Sequence, residues 1–400
     1  MSLESQAIAH LESLKKDSNY RSLKRFNFSV SEIFDNSKDS KSSQTPTLFN
    51  LASNDYLALA RDKDFNQAFL DSKLFKEHCH FSASSSRLLS GNFEIYSHLE
   101  SHLKSLFCKE ALLFNSGYHA NIGAISALSA LNVLFVADKS IHASHIDGLK
   151  NFKPTHFKRF LHNDMESLEK ILSANAPLYD AVVVLSEALF SMEGDFTNLK
   201  QLVALKEKFS NMYLYIDEAH SIGSVGVNGL GLCAKLGLLE RIDFIVLTFG
   251  KALASVGACI LCNATFKDYF INTARALIYS TAIPPINVAR TLFGFLHLQD
   301  FNMQRKHLNA IATEFRESLK THLPLEILGD YNIVSLVLGD NARAVQFSTK
   351  LLECGYFAPA IKSPTVPRNK ALLRFSLCAD MESQHLENLV KTLQKIANAN

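Results

Sequence analysis

The chain has 400 residues, of which 47% are hydrophobic and 20% charged, the balance of a globular protein and not of a disordered one. A formal net charge of +2 gives no field that would attract a nucleic acid or an acidic membrane, and no apolar run is long enough to span a bilayer, so neither partner is expected. Seven scattered cysteines (Cys79, Cys108, Cys233, Cys259, Cys262, Cys354 and Cys378), odd in number and mostly in apolar runs, are expected to be reduced core thiols of a cytoplasmic protein.

Residues 1–52 read as a polar, helix-forming segment and a linker, with Asp35 to Pro46 a Ser- and Lys-rich loop. Residues 53–289 read as a large domain. Tyr96, Leu99, Leu103 and Leu106 recur at helical spacing, as do Leu202, Leu205 and Phe209. Between such helices lie short β-rich runs. Leu131 to Val136 leads to Asp138, Ala181 to Leu185 to Ser186-Glu187, Met212 to Ile216 to Asp217, and Phe244 to Leu247 to Thr248; Ala258 to Leu261 follows. Strands that are apolar on both faces predict an α/β fold with a mainly parallel central sheet flanked by helices, and sites at the carboxyl ends of the strands. Residues 290–400, with strands at Ile333 to Leu338 and Leu372 to Leu377 between helices, predict a smaller α+β domain.

Two of those strand ends carry chemistry. Tyr215-Ile216-Asp217-Glu218-Ala219-His220 delivers a carboxylate and an imidazole, and Thr248-Phe249-Gly250-Lys251-Ala252-Leu253 a hydroxyl and an amine. A strand-end Asp is commonly a helix cap and a lysine is usually solvated. Lys251, however, follows an apolar strand and precedes apolar residues, where desolvation disfavours its ammonium and frees the amine for a Schiff base. An amine for an aldehyde, an acid for a ring nitrogen and donors for a phosphate are the requirements of pyridoxal phosphate. His142, in Ser140-Ile141-His142-Ala143-Ser144-His145, follows another strand end and could stack over the ring. Asn115-Ser116-Gly117-Tyr118-His119-Ala120-Asn121 is a small-residue turn feeding a helix, whose free N–H groups suit a phosphate. Cys259-Ile260-Leu261-Cys262 has metal-site spacing but lies in an apolar strand without a second pair, so packing is the better reading. Gly223, Gly226, Gly229 and Gly231 have the wrong spacing for a dinucleotide loop.

These segments resemble the α-oxoamine synthases, a family of fold-type I (aspartate-aminotransferase-like) pyridoxal phosphate enzymes, from about Asn50 to the C-terminus. The likeness also rests on Asn50-Leu51-Ala52-Ser53-Asn54-Asp55-Tyr56-Leu57, Ser86-Arg87-Leu88-Leu89-Ser90-Gly91-Asn92, Phe190-Ser191-Met192-Glu193-Gly194-Asp195 and Tyr279-Ser280-Thr281-Ala282-Ile283-Pro284-Pro285. The resemblance implies that Lys251 is the Schiff-base lysine, Asp217 the partner of the pyridine nitrogen and His220 the neighbour of the ring oxygen. It implies that His142 stacks on the ring, that Ser191 lies close to the cofactor, and that Gly117, Tyr118 and Thr248 contact the phosphate. Ser280 and Thr281 would reach the partner subunit's phosphate in a homodimer with shared active sites. Asn54 and Arg374 would hold the substrate carboxylate, and an arginine within an apolar strand is itself suited to gripping an anion.

Within that family the opening segment and the lysine segment favour condensation of L-alanine with a pimeloyl thioester, carried on coenzyme A or an acyl-carrier protein. Condensation of glycine with acetyl-CoA, of glycine with succinyl-CoA, or of serine with palmitoyl-CoA remain the alternatives inside the family, and a pyridoxal phosphate binder without catalysis or a plain aminotransferase outside it.

Overall fold

The computed structural model describes residues 2–23, 26–29, 47–150 and 156–398; the expected Asp35 to Pro46 loop lies outside them. Two compact units are present. The larger comprises Asn54–Ser191 and Phe196–Arg305, the smaller Met1–Ser53, Met192–Asp195 and Lys306–Asn400.

A seven-stranded sheet organises the larger unit. Its order across the sheet is Glu110–Phe114, Ala258–Cys262, Phe244–Thr248, Met212–Asp217, Ala181–Glu187, Val133–Asp138 and Phe157–Phe160. Ala258–Cys262 runs antiparallel to both neighbours and the remaining pairs are parallel. The central strands are buried almost throughout, as their unbroken Val, Ile and Leu runs require. Each fully buried aliphatic side chain there is worth about 1.5–3 kcal/mol relative to exposure. Register brings Glu187 opposite Asp217, and Asp217 opposite Val246, so the polar carboxyl ends lie side by side.

Neither edge strand is among the expected runs. Phe157–Phe160 exposes Lys158 and Arg159 at its middle, the charged character that blunts a sheet edge, whereas Glu110–Phe114 is as long as Phe244–Thr248 and buries Ala111 to Phe114. Helix Glu94–Phe107 buries Tyr96, Leu99 and Leu103, and helix Leu199–Lys208 buries Leu202 and Leu205 with Phe209 as its C-cap.

In the smaller unit a four-stranded antiparallel sheet is ordered Ile327–Leu328, Ile333–Gly339, Ala371–Ser376, Ala360–Ile361. Helix Ser383–Asn398 buries Leu386, Leu389, Val390, Leu393 and Ile396 along one stripe. Helix Leu3–Lys16, by contrast, buries no residue.

The cysteines need a correction. All seven are free, but only Cys233, Cys259, Cys262 and Cys378 are buried. Cys79, Cys108 and Cys354 are exposed because each is the C-cap of a helix that ends at the surface. Cys259 and Cys262 pack in the sheet core, and no group of metal-ligating residues occurs among the described residues. No helix among them is long and apolar enough to cross a membrane.

Candidate active site

Asp217 ends its strand buried, 4% exposed. One carboxylate oxygen accepts from the Ala219 N–H at 2.9 Å, and the other from Asn121 Nδ2 at 2.9 Å. His145 Nε2 stands 3.7 Å away, but burial drives the pKa of that fully enclosed imidazole down. Among the described residues no lysine or arginine lies within ion-pair distance of Asp217. A buried carboxylate with donors and no permanent cation is a socket for a positive group.

The next turn presents His220, whose Nδ1 lies 2.6 Å from the Tyr56 hydroxyl and whose Nε2 lies 2.7 Å from Lys251 Nζ. Tyr56 in turn lies 3.1 Å from Asn54 Oδ1. A lysine that donates to Nε2 leaves Nδ1–H to donate to Tyr56 and the phenol to donate to Asn54, so all four groups are satisfied in one direction. Lys251 itself is half-buried on a turn closed by the Ala254 N–H to the Lys251 carbonyl at 2.9 Å and the Ser255 N–H to the Phe249 carbonyl at 2.8 Å.

His142 caps helix Ala143–Leu149. Its backbone N–H donates to Glu187 Oε1 at 2.6 Å, and its Nδ1 lies 2.8 Å from Ser144 Oγ. Burial lowers the His142 pKa, opposed by the Asp217 charge and reinforced by Lys251. Ser144 Oγ also receives Asn121 Nδ2 at 2.9 Å, and Asn121 Oδ1 accepts from the Tyr215 hydroxyl at 2.8 Å.

Ser116 is the N-cap of helix Gly117–Leu128, its hydroxyl accepting from the His119 N–H. The first N–H groups of that helix, at Gly117 and Tyr118, have no intrahelical acceptor. Gly117 sits so close to Thr248 that a Cβ would come 2.5 Å from its Cγ2. Glycine lets the helix start and the strand end meet there without displacing the Thr248 methyl.

These groups enclose one cavity of about 380 Å³. Asn54, Gly117, Tyr118, His142, Asp217, His220, Thr248 and Lys251 all line it. The remaining expected site residues sit elsewhere. Ser191 is buried outside the lining, Ser280 is half-buried, and Thr281 is exposed with its carbonyl accepting from Asn115 Nδ2 at 2.6 Å. Arg374 stands in the smaller unit on Ala371–Ser376, buried, donating to Ser376 Oγ at 2.6 Å. Reasoning from sequence passed over Tyr56, Asn121, Ser144 and Glu187. Asn121 lies one helical turn after Gly117, and Glu187 ends a strand beside Asp217; both spacings were available as signals.

A strand-end lysine, a buried carboxylate lacking a cation and a helix N-terminus at one cavity fit pyridoxal phosphate, and with the sheet they define the class: a pyridoxal phosphate-dependent enzyme of fold type I. The chain belongs to the family described as aminotransferase class I and II, matched over residues 46–393, and within it to the α-oxoamine synthases. It is 44% identical over 356 residues to the 8-amino-7-oxononanoate synthase of Haemophilus ducreyi, covering 88% of this chain and 92% of that one. It is similar to a structure of SPT with pyridoxal phosphate as internal aldimine, at a TM-score of 0.83 and 27% identity over 100% of this chain and 99% of the other. The 8-amino-7-oxononanoate synthase of Francisella tularensis superposes with a TM-score of 0.73 and 26% identity, covering 88% and 98% of the two chains.

Proposed function

We propose that the protein condenses L-alanine with a pimeloyl thioester, releasing carbon dioxide and free thiol and forming 8-amino-7-oxononanoate in biotin biosynthesis. The observation that supports this reading best is the 44% identity to an 8-amino-7-oxononanoate synthase over 88% of the chain, with Lys251, His220, Asp217 and His142 around one cavity. Pyridoxal phosphate, when bound, supplies an electron sink for negative charge at the amino acid's Cα.

The chain's own residues do the rest. Lys251 Nζ would hold the cofactor aldehyde, and as a free amine it would take the Cα proton of alanine. Asp217 would pair with the ring nitrogen and keep it protonated, and His220 would serve the ring oxygen. Gly117 and Tyr118 N–H groups and the Thr248 hydroxyl bind the phosphate, with Ser191 close to the cofactor. Ser280 and Thr281 serve the partner subunit's phosphate in a homodimer. Asn54 and Arg374 grip the alanine carboxylate, Arg374 through its planar fork.

The Cα–acyl bond forms as the carbon–sulfur bond breaks and the thiol departs. The β-keto acid then loses its carboxyl group as carbon dioxide, and Lys251 returns a proton to Cα. His142, which lines the same cavity, would hold the ring's face and assist at the thioester oxygen.

A thiol-release assay tests this. Alanine, glycine and serine are each offered with pimeloyl and acetyl thioesters, on coenzyme A and on acyl-carrier protein. Alanine with a pimeloyl donor is expected to turn over fastest. Faster release with glycine and acetyl-CoA would overturn the assignment.

A further inference from the structure

The hydrogen bonds around His142 determine which of its ring nitrogens carries the proton. As the N-cap of its helix, His142 Nδ1 lies 3.3 Å from the backbone N–H of Ser144, and an amide N–H can only donate. Nδ1 is therefore an acceptor.

The hydrogen bonds that start at Asp217 lead to the same proton position. Asn121 is buried, and its Oδ1 accepts from the Tyr215 hydroxyl while its Nδ2 faces the Asp217 carboxylate. Reversing the amide would set oxygen against carboxylate, so its orientation is fixed. The other Nδ2 hydrogen goes to Ser144 Oγ at 2.9 Å. Ser144 has then accepted, and its own hydrogen is left for His142 Nδ1 at 2.8 Å.

A neutral imidazole that accepts at Nδ1 carries its proton on Nε2. Burial favours that neutral form against the opposing charge of Asp217. Among the described residues Nε2 has no hydrogen-bond partner, and His142 lines the cavity.

We propose that Asn121 and Ser144 are positioning residues that hold His142 as its Nε2–H tautomer, so that it offers the acyl substrate's carbonyl oxygen a hydrogen-bond donor and not a base. The proposal rests on the acyl-transfer reading of the site. A neutral donor is suited to oxygen that gains negative charge as the thioester carbon is attacked, and it costs no proton transfer at that moment. The same Asn121 amide holds Asp217, so the group that pairs with the ring nitrogen and the group that meets the acyl oxygen share one support.

The test uses the holoenzyme labelled with ¹⁵N-histidine, with His142 assigned by its lost signals in His142→Ala. Long-range ¹H–¹⁵N spectra at neutral pH should show a protonated Nε2 and an unprotonated Nδ1. Ser144→Ala removes the hydroxyl donor, and Asn121→Asp removes the amide donors so that the Ser144 hydrogen turns away from the imidazole. Each leaves only the Ser144 backbone N–H, at 3.3 Å, facing Nδ1, so the Nδ1 resonance should move part of the way toward its protonated position. In Ser144→Ala, kcat for acyl transfer should fall about fivefold to tenfold, the size of one hydrogen bond, with the KM for the amino acid little changed. A protonated Nδ1 in the parent enzyme, or lowered rates with unmoved resonances in both variants, would overturn the proposal. Because the tautomer is read without turnover, failure of every acyl donor would sink the functional reading and leave this spectral result to stand or fall separately.

Discussion

At the amino ends of the central strands polar side chains tie the sheet to its surface, whereas at the carboxyl ends they tie to one another around the cavity. Lys206 reaches Asp243 at 2.5 Å and the Arg241 carbonyl at 2.9 Å; Asn132 donates to Asp180 at 3.0 Å; Asn211 holds the carbonyls of Ala176 and Tyr179, each at 3.0 Å. Water competes for most of these groups, so each pair is worth little. At the other end Asp217, Asn121, Ser144, His145 and Tyr215 are buried. A polar group there that loses its partner has no water to turn to. One sheet thus has an end whose polar residues tolerate change and an end whose polar residues depend on one another.

The most severe way to probe that contrast is Lys251→Ala. It removes the amine that meets His220 Nε2 at 2.7 Å and, in the proposed reaction, the base at Cα. Condensation is expected to fall by more than about a hundredfold, since acid–base catalysis alone contributes roughly 10²–10⁴. Borohydride reduction of the parent should fix pyridoxal phosphate covalently on Lys251, and the variant should stay unmodified. A variant that turned over at the parent rate would move the chemistry away from this end of the sheet.

How much of this could be read from the residues depends on where the physical signal is local. The strands from Val133 to Asp138, Ala181 to Glu187, Met212 to Asp217 and Phe244 to Thr248 announce themselves as unbroken apolar runs, each with a polar residue at its carboxyl end. The edge strand Phe157–Phe160 does not, because Lys158 and Arg159 at its middle break the pattern. Asp217, His220 and Lys251 stand out through their spacing from strand ends, and they come together in one cavity. Asn121, Ser144, Tyr56 and Tyr215 act through contacts across many residues, such as Asn121 to Asp217 and Tyr56 to His220, which no local spacing encodes. The exposed cysteines were hidden for a related reason, since a helix C-cap is recognised by its backbone geometry and not by the residue that occupies it.

A milder change at the carboxyl end is Gly117→Ala. Its new Cβ would stand 2.5 Å from Thr248 Cγ2, so either Thr248 must swing or the helix start must retreat. Overpacking of this kind costs about 1–3 kcal/mol. Because both residues line the cavity, the cost should appear mainly in cofactor affinity, weakened roughly tenfold or more by the tenfold-per-1.4 kcal/mol relation. Absorbance titration of apoprotein with pyridoxal phosphate measures it. A large fall in melting temperature with unchanged affinity would instead make the Gly117–Thr248 approach a packing feature of the fold.

The smallest effect is expected from Lys206→Met at the amino end. Lys206 and Asp243 are each about a fifth exposed, at 21% and 22%, and the pair is open to solvent on one side. Removing the ammonium does not strand the carboxylate, because Asp243 still accepts from the Leu214 N–H at 2.8 Å. The methionine retains the apolar stem that covers the strand end. Loss of stability should stay below about 1 kcal/mol, measured by urea unfolding of the apoprotein, and kcat should not change. That outcome is needed for the contrast between the two ends to hold. If this substitution lowered turnover as much as Ser144→Ala, the polar groups at the amino ends would be coupled to the cavity through the strands, and the division drawn between them would fail.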